Sequence, residues 1–154
     1  MITDEEKRLI EAMFPLYETK VACAVEAMRV VQDGRGWVSD EALADLAEFL
    51  EVSVDELDSL ATFYSLIFRR PVGRHVIMVC SGVCCWMLGS EEIVDYLRQR
   101  LGVDLGGTSP DGRFTLLPAV CVGACDHAPA MLVDWQTYGD LTPEKIDTIL
   151  AAHA

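Results

Sequence analysis

The sequence predicts an α+β protein, a helical N-terminal half followed by a layered α/β half. Three observations carry that prediction. Apolar residues recur at helical spacing through residues 3–70. The period changes across Arg70-Pro71-Val72-Gly73, where punctuation residues precede a short β-prone run. Beyond the break, strand candidates alternate with helical stripes, the order of an α/β sandwich. The boundary is placed there, giving a helical region 1–72 and a second domain 73–154.

In the helical region, Thr3 and Glu6 form a capping box that opens a first helix with Leu9, Ile10, Met13, Phe14 and Tyr17 on its buried stripe. A second helix is expected from about Lys20 to Asp33, stopped by Gly34 in the left-handed region, with Cys23 within it as a small buried hydrophobe. Ser39 caps a third helix carrying Leu43, Leu46 and Leu50. A second capping box, Ser53 with Glu56, opens a fourth through Leu57, Leu60 and Ala61.

In the second domain, His75-Val76-Ile77-Met78-Val79 reads as a strand running directly into Cys80. Ser90 is the expected cap of a helix with Ile93, Val94, Leu97 and Leu101 on one face and Gly102 at its end. Gly106 to Gly112 reads as a connector, Arg113–Leu117 and Ala130–Asp134 as further strands, and Thr142-Pro143 as the start of a last helix bearing Ile146 and Ile149.

The 154 residues carry 25 acids against 12 Lys and Arg, a formal net charge of −13. The excess is shared, with 15 acids against 7 bases in residues 1–70 and 10 against 5 in residues 71–154. No basic face is left for nucleic acid or an anionic membrane, so protein partners are expected. Residues 39–64 can be drawn as a helix-turn-helix of an iron-sulfur or zinc regulator. That segment holds eight acids and no Lys or Arg, the wrong sign for phosphates. No signal architecture opens the chain, and no apolar run approaches the roughly 18 residues that span a bilayer. A cytoplasmic chain without direct membrane insertion is expected, and there six cysteines point to metal or redox chemistry rather than disulfides.

Cys80-Ser-Gly-Val-Cys84-Cys85 and Cys121-Val-Gly-Ala-Cys125 each follow a β-prone segment, so two loops at strand ends can turn their sulfurs toward one another. A metal stabilises such thiolates, and the small Gly-containing inserts let backbone amides point at sulfur. Zinc is a rival, although its knuckles favour two-residue inserts. A thiol-disulfide enzyme is a weaker one, since no C-x-x-C occurs. Spacing leaves Cys84 and Cys85 as alternatives. His127 lies beside Cys125 and is expected in a supporting or surface role. His75 and His153 are read as isolated, and Trp86 and Met87 as packed beside the metal loop. No G-x-G-x-x-G or G-x-x-x-x-G-K motif suggests nucleotide binding.

The pattern Cys80-x4-Cys85 with Cys121-x3-Cys125 is similar to that of the thioredoxin-like 2Fe-2S ferredoxins. V-Q-D-G-R-G-W-V-S at 31–39, L-A-T-F-Y-S at 60–65, F-R-R-P-V-G-R-H-V-I at 68–77, D-G-R-F-T-L-L-P at 111–118 and C-V-G-A-C-D-H-A-P at 121–129 resemble the small 2Fe-2S subunit of bacterial respiratory complex I over nearly the whole chain. The resemblance implies a helical bundle followed by a thioredoxin-like ferredoxin domain, and one 2Fe-2S cluster on Cys80, Cys85, Cys121 and Cys125, with Cys84 a neighbour. It also implies a subunit that catalyses nothing alone and exchanges single electrons with FMN. FMN and NADH would be bound by a partner flavoprotein, beside other complex I subunits in the peripheral arm on the cytoplasmic side. The same module in an NAD-linked hydrogenase or formate dehydrogenase is the alternative assembly.

Overall fold

Side-chain caps open three of the four helices in the first of two units, Met1–Pro71 and Val72–Ala154, that form the chain. The structure is a computed structural model that describes residues 1–153. In α1 (Asp4–Glu11), Glu6 N–H donates to Thr3 Oγ1 at 3.1 Å and Thr3 N–H donates to the Glu6 carboxylate at 2.6 Å, the expected reciprocal box. In α3 (Asp40–Leu50), Ser39 caps the Ala42 amide. Only the serine half of the second box forms in α4 (Val54–Phe63): Ser53 accepts from Glu56 N–H at 3.2 Å, while the exposed Glu56 carboxylate is left to water.

The second helix differs from its expected span. A single 3-10 turn, Val21–Cys23, precedes α2 (Ala24–Arg35), which runs through Gly34 and stops at Gly36, at φ 80°. The last turn is held from outside: the Gln32 amide donates to Leu66 O at 2.9 Å and accepts from Phe68 N–H at 2.6 Å, and Arg35 pairs with Glu6 at 2.7 Å. Those contacts carry the helix past the first glycine to the second. Ile10, Met28, Val31, Leu43, Leu46, Leu50 and Leu57 are fully buried in this unit's core, each contributing about 1.5–3 kcal/mol by leaving water.

The second unit is built on a four-stranded sheet of order β2-β1-β3-β4, made of β1 (His75–Cys80), β2 (Phe114–Ala119), β3 (Met131–Val133) and β4 (Gln136–Tyr138). β1 pairs parallel with β2 and antiparallel with β3, and β3 pairs antiparallel with β4. Alternate residues Ile77, Val79, Phe114, Leu116, Met131 and Val133 share a core with Ile93 and Leu97 of α6 (Ser90–Leu101) and Ile146, Ile149 and Leu150 of α7 (Pro143–Ala152). α7 starts at Thr142-Pro143 as expected, with Thr142 capping it by accepting from Lys145 N–H. Ser90 does not cap α6. It is the buried first residue, and Gly89 at φ 91° takes the cap position, because the chain arrives directly from α5 (Val83–Met87) and must reverse there.

Beyond β2 the segment around Gly106 runs along its outer side. Gly106 N–H donates to Leu116 O at 2.7 Å, Leu116 N–H to Gly107 O at 3.0 Å and Ser109 N–H to Phe114 O at 2.7 Å. Among the described residues no helix is long and apolar enough to cross a membrane.

Candidate metal centre

The parallel pairing of β1 with β2 decides where the cysteines go. Cys80 ends β1 opposite Ala119, the last residue of β2, so both strands release their loops at the same end of the sheet. Ser81 fastens the two exits, its N–H donating to Ala119 O at 2.8 Å and its hydroxyl to the same oxygen at 3.1 Å. β3 runs antiparallel and enters from that end, and Cys80 N–H donates to Ala130 O at 3.1 Å. Residues 121–130 are thereby folded back over the first cysteine loop.

Five of the six cysteines meet there. Cys80 and Cys85 are 3% and 2% exposed and pack with Ala130, Val122, Ala124 and Ala128, while Cys121 and Cys125 are exposed and Cys84 lies between these extremes. The first loop closes as the five-residue α5, so Cys84 and Cys85 occupy successive helical positions about 100° apart. Cys85 turns toward Cys80 and the Ala130 amide, and Cys84 toward Cys125.

The surroundings treat the thiols differently. Burial opposes ionisation of Cys80, but the Gly82 and Val122 amides, with the Cys85 and Cys121 thiols, outweigh it and hold its pKa below the ordinary thiol value. Burial pushes Cys85 up, and donation to Cys80 adds to this against the Ala130 amide. Hydrogen bonding with Cys84, then the charges of Cys84 and Cys121, push Cys125 up to about 11. Cys85 and Cys125 thus both resist ionisation, and a cation among the sulfurs would favour their thiolates.

Glycine makes the close approach feasible. A Cβ on Gly82 would stand 3.1 Å from Val120 O and 3.5 Å from Cys80 Sγ, and Gly123, at φ 79°, curls the second loop so that its N–H donates to Cys121 Sγ at 3.4 Å. Amides aimed at sulfur are the donor set that metal thiolates require. Among the described residues no three His, Cys, Asp or Glu side chains form a group able to hold a single ion.

Several expectations are corrected. Trp86 stands beside Cys80, lining a cleft of about 380 Å³ with Val79, Val94, Leu105 and Pro118, yet it and Met87 are 59% and 73% exposed, so neither is packed over the loop. They follow Cys85 on a helix whose single inward position that cysteine occupies. His75 is not isolated: its Nδ1 lies 2.8 Å from Asp134 Oδ2, and its ring meets His153 edge-on at 5.1 Å. Asp134 is 59 residues away in the chain, beyond any local spacing rule. His127, by contrast, is exposed, in keeping with the surface role expected of it, and paired with Asp140 at 3.0 Å. The sequence carries no signal for the helical turn after Gly82, which directs Cys84 and Cys85 to different sides.

Residues 10–154 match the family model described as thioredoxin-like [2Fe-2S] ferredoxin. The chain belongs to that family. This ferredoxin is 42% identical over 153 residues to an NADH-quinone oxidoreductase subunit of Pseudomonas aeruginosa, covering 99% of this chain and 92% of the relative. It is 44% identical over 145 residues to the like-named protein of Escherichia coli, covering 94% and 87%. Its fold is similar to that of an NAD+-reducing [NiFe]-hydrogenase chain at a TM-score of 0.73 and 23% identity, over 85% of this ferredoxin and 22% of that chain. It therefore spans about a fifth of the hydrogenase chain, and that likeness concerns the fold.

Proposed function

We propose that this ferredoxin is the electron-transfer subunit of the NADH-oxidising module of NADH:quinone oxidoreductase, holding one [2Fe-2S] cluster on Cys80, Cys85, Cys121 and Cys125. The observation that carries the reading is the joint exit of β1 and β2, which collects these four thiols under amides from Gly82, Val122, Gly123 and Ala130. The donor set fits the group: the thiols are spread as a buried pair, Cys80 with Cys85, and an exposed pair, Cys121 with Cys125, with Cys80 also meeting Cys121. Four cysteine thiolates are the ligand set that a [2Fe-2S] cluster would take, and these four residues would hold it.

When bound, the cluster supplies a centre that gains and loses one electron. The chain does the rest. Cys80 and Cys85 anchor the inner side in an apolar pocket, and the amides stabilise sulfur charge. Exposed Cys121 and Cys125 keep the outer side near the surface, where a flavoprotein carrying FMN and NADH can approach. The partners are that flavoprotein and other components of the peripheral arm, on the cytoplasmic side, and the ferredoxin alone oxidises no NADH. The curated relatives' shared name supports this assembly.

The test is anaerobic purification followed by UV-visible and EPR spectroscopy with iron and sulfide analysis. About two irons and two sulfides per chain, with a paramagnetic signal on dithionite reduction, is the expected result. Equimolar zinc without a reducible chromophore would overturn it. Copurification of a flavoprotein that reduces the chromophore with NADH tests the partner.

A further inference from the structure

The second cysteine loop is held from outside by the segment that follows β4, which carries no cysteine. Two backbone hydrogen bonds make the attachment: Asp140 N–H donates to His127 O at 2.6 Å, and Leu141 N–H donates to Pro129 O at 3.1 Å. His127 closes the 3-10 turn Cys125–His127, its own N–H donating to Ala124 O at 3.1 Å, so whatever holds His127 holds the turn that carries Cys125. The side chains repeat the contact, with His127 Nδ1 3.0 Å from Asp140 Oδ2. So close an approach requires glycine before Asp140, since a Cβ on Gly139 would stand 2.4 Å from His127 Cβ and 2.6 Å from His127 O. Asp140 itself sits at φ 48°, a left-handed conformation that Asp adopts more readily than most residues. Lys145, in the first turn of α7, fastens the other side of the segment by donating to Gly139 O at 2.5 Å.

We propose that Asp140 is a positioning residue: through His127 it fixes the turn that carries Cys125, and so sets how firmly the exposed side of the metal centre is held. The inference rests on the proposed function, in which Cys125 is a ligand. The His127–Asp140 pair is largely exposed, and in isolation such a pair contributes little. Its weight comes from the two backbone bonds and the glycine contact beside it, which seat the turn against a segment anchored on α7. Cys80 and Cys85 are buried and are held by the packing around them, whereas Cys125 is exposed, and exposed segments with few packed neighbours open first. Asp140 touches no iron and carries no electron. Loosening the turn would let a chelator take iron from the exposed side.

The experiment follows iron release to a colorimetric chelator, together with EPR spectra of the reduced state, in the full-length, cluster-loaded chain as wild type, Asp140→Ala, Asp140→Asn and Ile149→Val. Asp140→Ala removes both the acceptor for His127 and the residue type that suits φ 48°. It is expected to release iron roughly two- to tenfold faster, the effect of losing about one hydrogen bond, and to shift the EPR spectrum. Asp140→Asn keeps an acceptor and the same backbone tolerance, and is expected to match wild type. Ile149→Val, in the core of the same unit, is expected to lower the urea midpoint while leaving the release rate and the spectrum as in wild type. Wild-type release and spectrum in Asp140→Ala would overturn the inference. Equal acceleration in Asp140→Asn would also overturn it, by making lost charge the cause, and equal acceleration in Ile149→Val by making general destabilisation the cause. Should Asp140→Ala fold poorly, Gly139→Ala loosens the same attachment by driving a methyl group against His127, with the same expected and overturning results. A wild-type chain with no reducible chromophore would instead refute the proposed function, so the two failures are distinguishable.

Discussion

Cys23 in the helical unit and Cys80 in the ferredoxin unit are both buried cysteines, yet their surroundings make them opposite chemical species. Cys23 lies within an apolar core with its Sγ donating to Lys20 O at 3.1 Å, and burial pushes its pKa up. Cys80 is as dry, but two amides and two thiols point at it and its pKa falls below the usual value. Burial alone makes a thiol inert, and converging donors fit it to bind metal. The same contrast separates the units: the first is held by side chains on regular helical faces, while the second places its chemistry where three strands start or end.

The comparison can be broken most directly at the cysteines. Cys85→Ser is expected to abolish cluster binding, with iron falling to background, whereas Cys23→Ser retains wild-type iron per folded chain. Metal analysis of both variants decides the matter, and equal iron loss would erase the distinction. Next in size, Leu46→Ala should lower the unfolding free energy by about 2–5 kcal/mol through the cavity it leaves. Urea titration followed by circular dichroism measures this, and iron content of the folded chain should not change. Gly82→Ala inserts a methyl group against Val120 O and Cys80 Sγ, for an overpacking cost of about 1–3 kcal/mol. Unlike Leu46→Ala, it should also lower iron occupancy, read by the cluster absorbance per chain.

The smallest effect concerns charge. Burial works to raise the Glu6 pKa, but hydrogen bonds from Arg35 and Thr3 outweigh it, and the result lies below the usual 4.5. A carboxylate whose pKa is depressed by folding contributes stability above its unfolded value, and that contribution fades as pH falls through the folded value. Glu6→Gln should therefore cost about 1–2 kcal/mol at neutral pH and progressively less below about pH 4.5, with urea midpoints across pH as the readout. A difference that grows toward acid pH would reverse the assignment.

These particulars explain what was legible beforehand. Thr3, Ser39 and Ser53 cap the helices they were expected to cap, because a cap is a local bond between residues three apart. β1 was visible as an unbroken β-prone run since it is buried nearly along its whole length. β4 and α5 span three and five residues, too few for any period to declare itself. The cysteine loops are conspicuous by spacing, but spacing leaves Cys84 and Cys85 as alternatives, because the helical turn that directs the two side chains apart spans only five residues. Asp134 beside His75 was invisible for a related reason: the antiparallel return of β3, not sequence proximity, brings them together.

The hydrogen bonds of Gly106, Gly107 and Ser109 along β2 bear on how copies of this chain behave toward one another. A strand at the margin of a sheet is a template for another molecule's backbone, and here that margin is already matched by the chain's own segment. The opposite margin, β4, spans only three residues, Gln136–Tyr138. With one border sealed and the other too brief to seed pairing, newly made chains can accumulate side by side without knitting into aggregates.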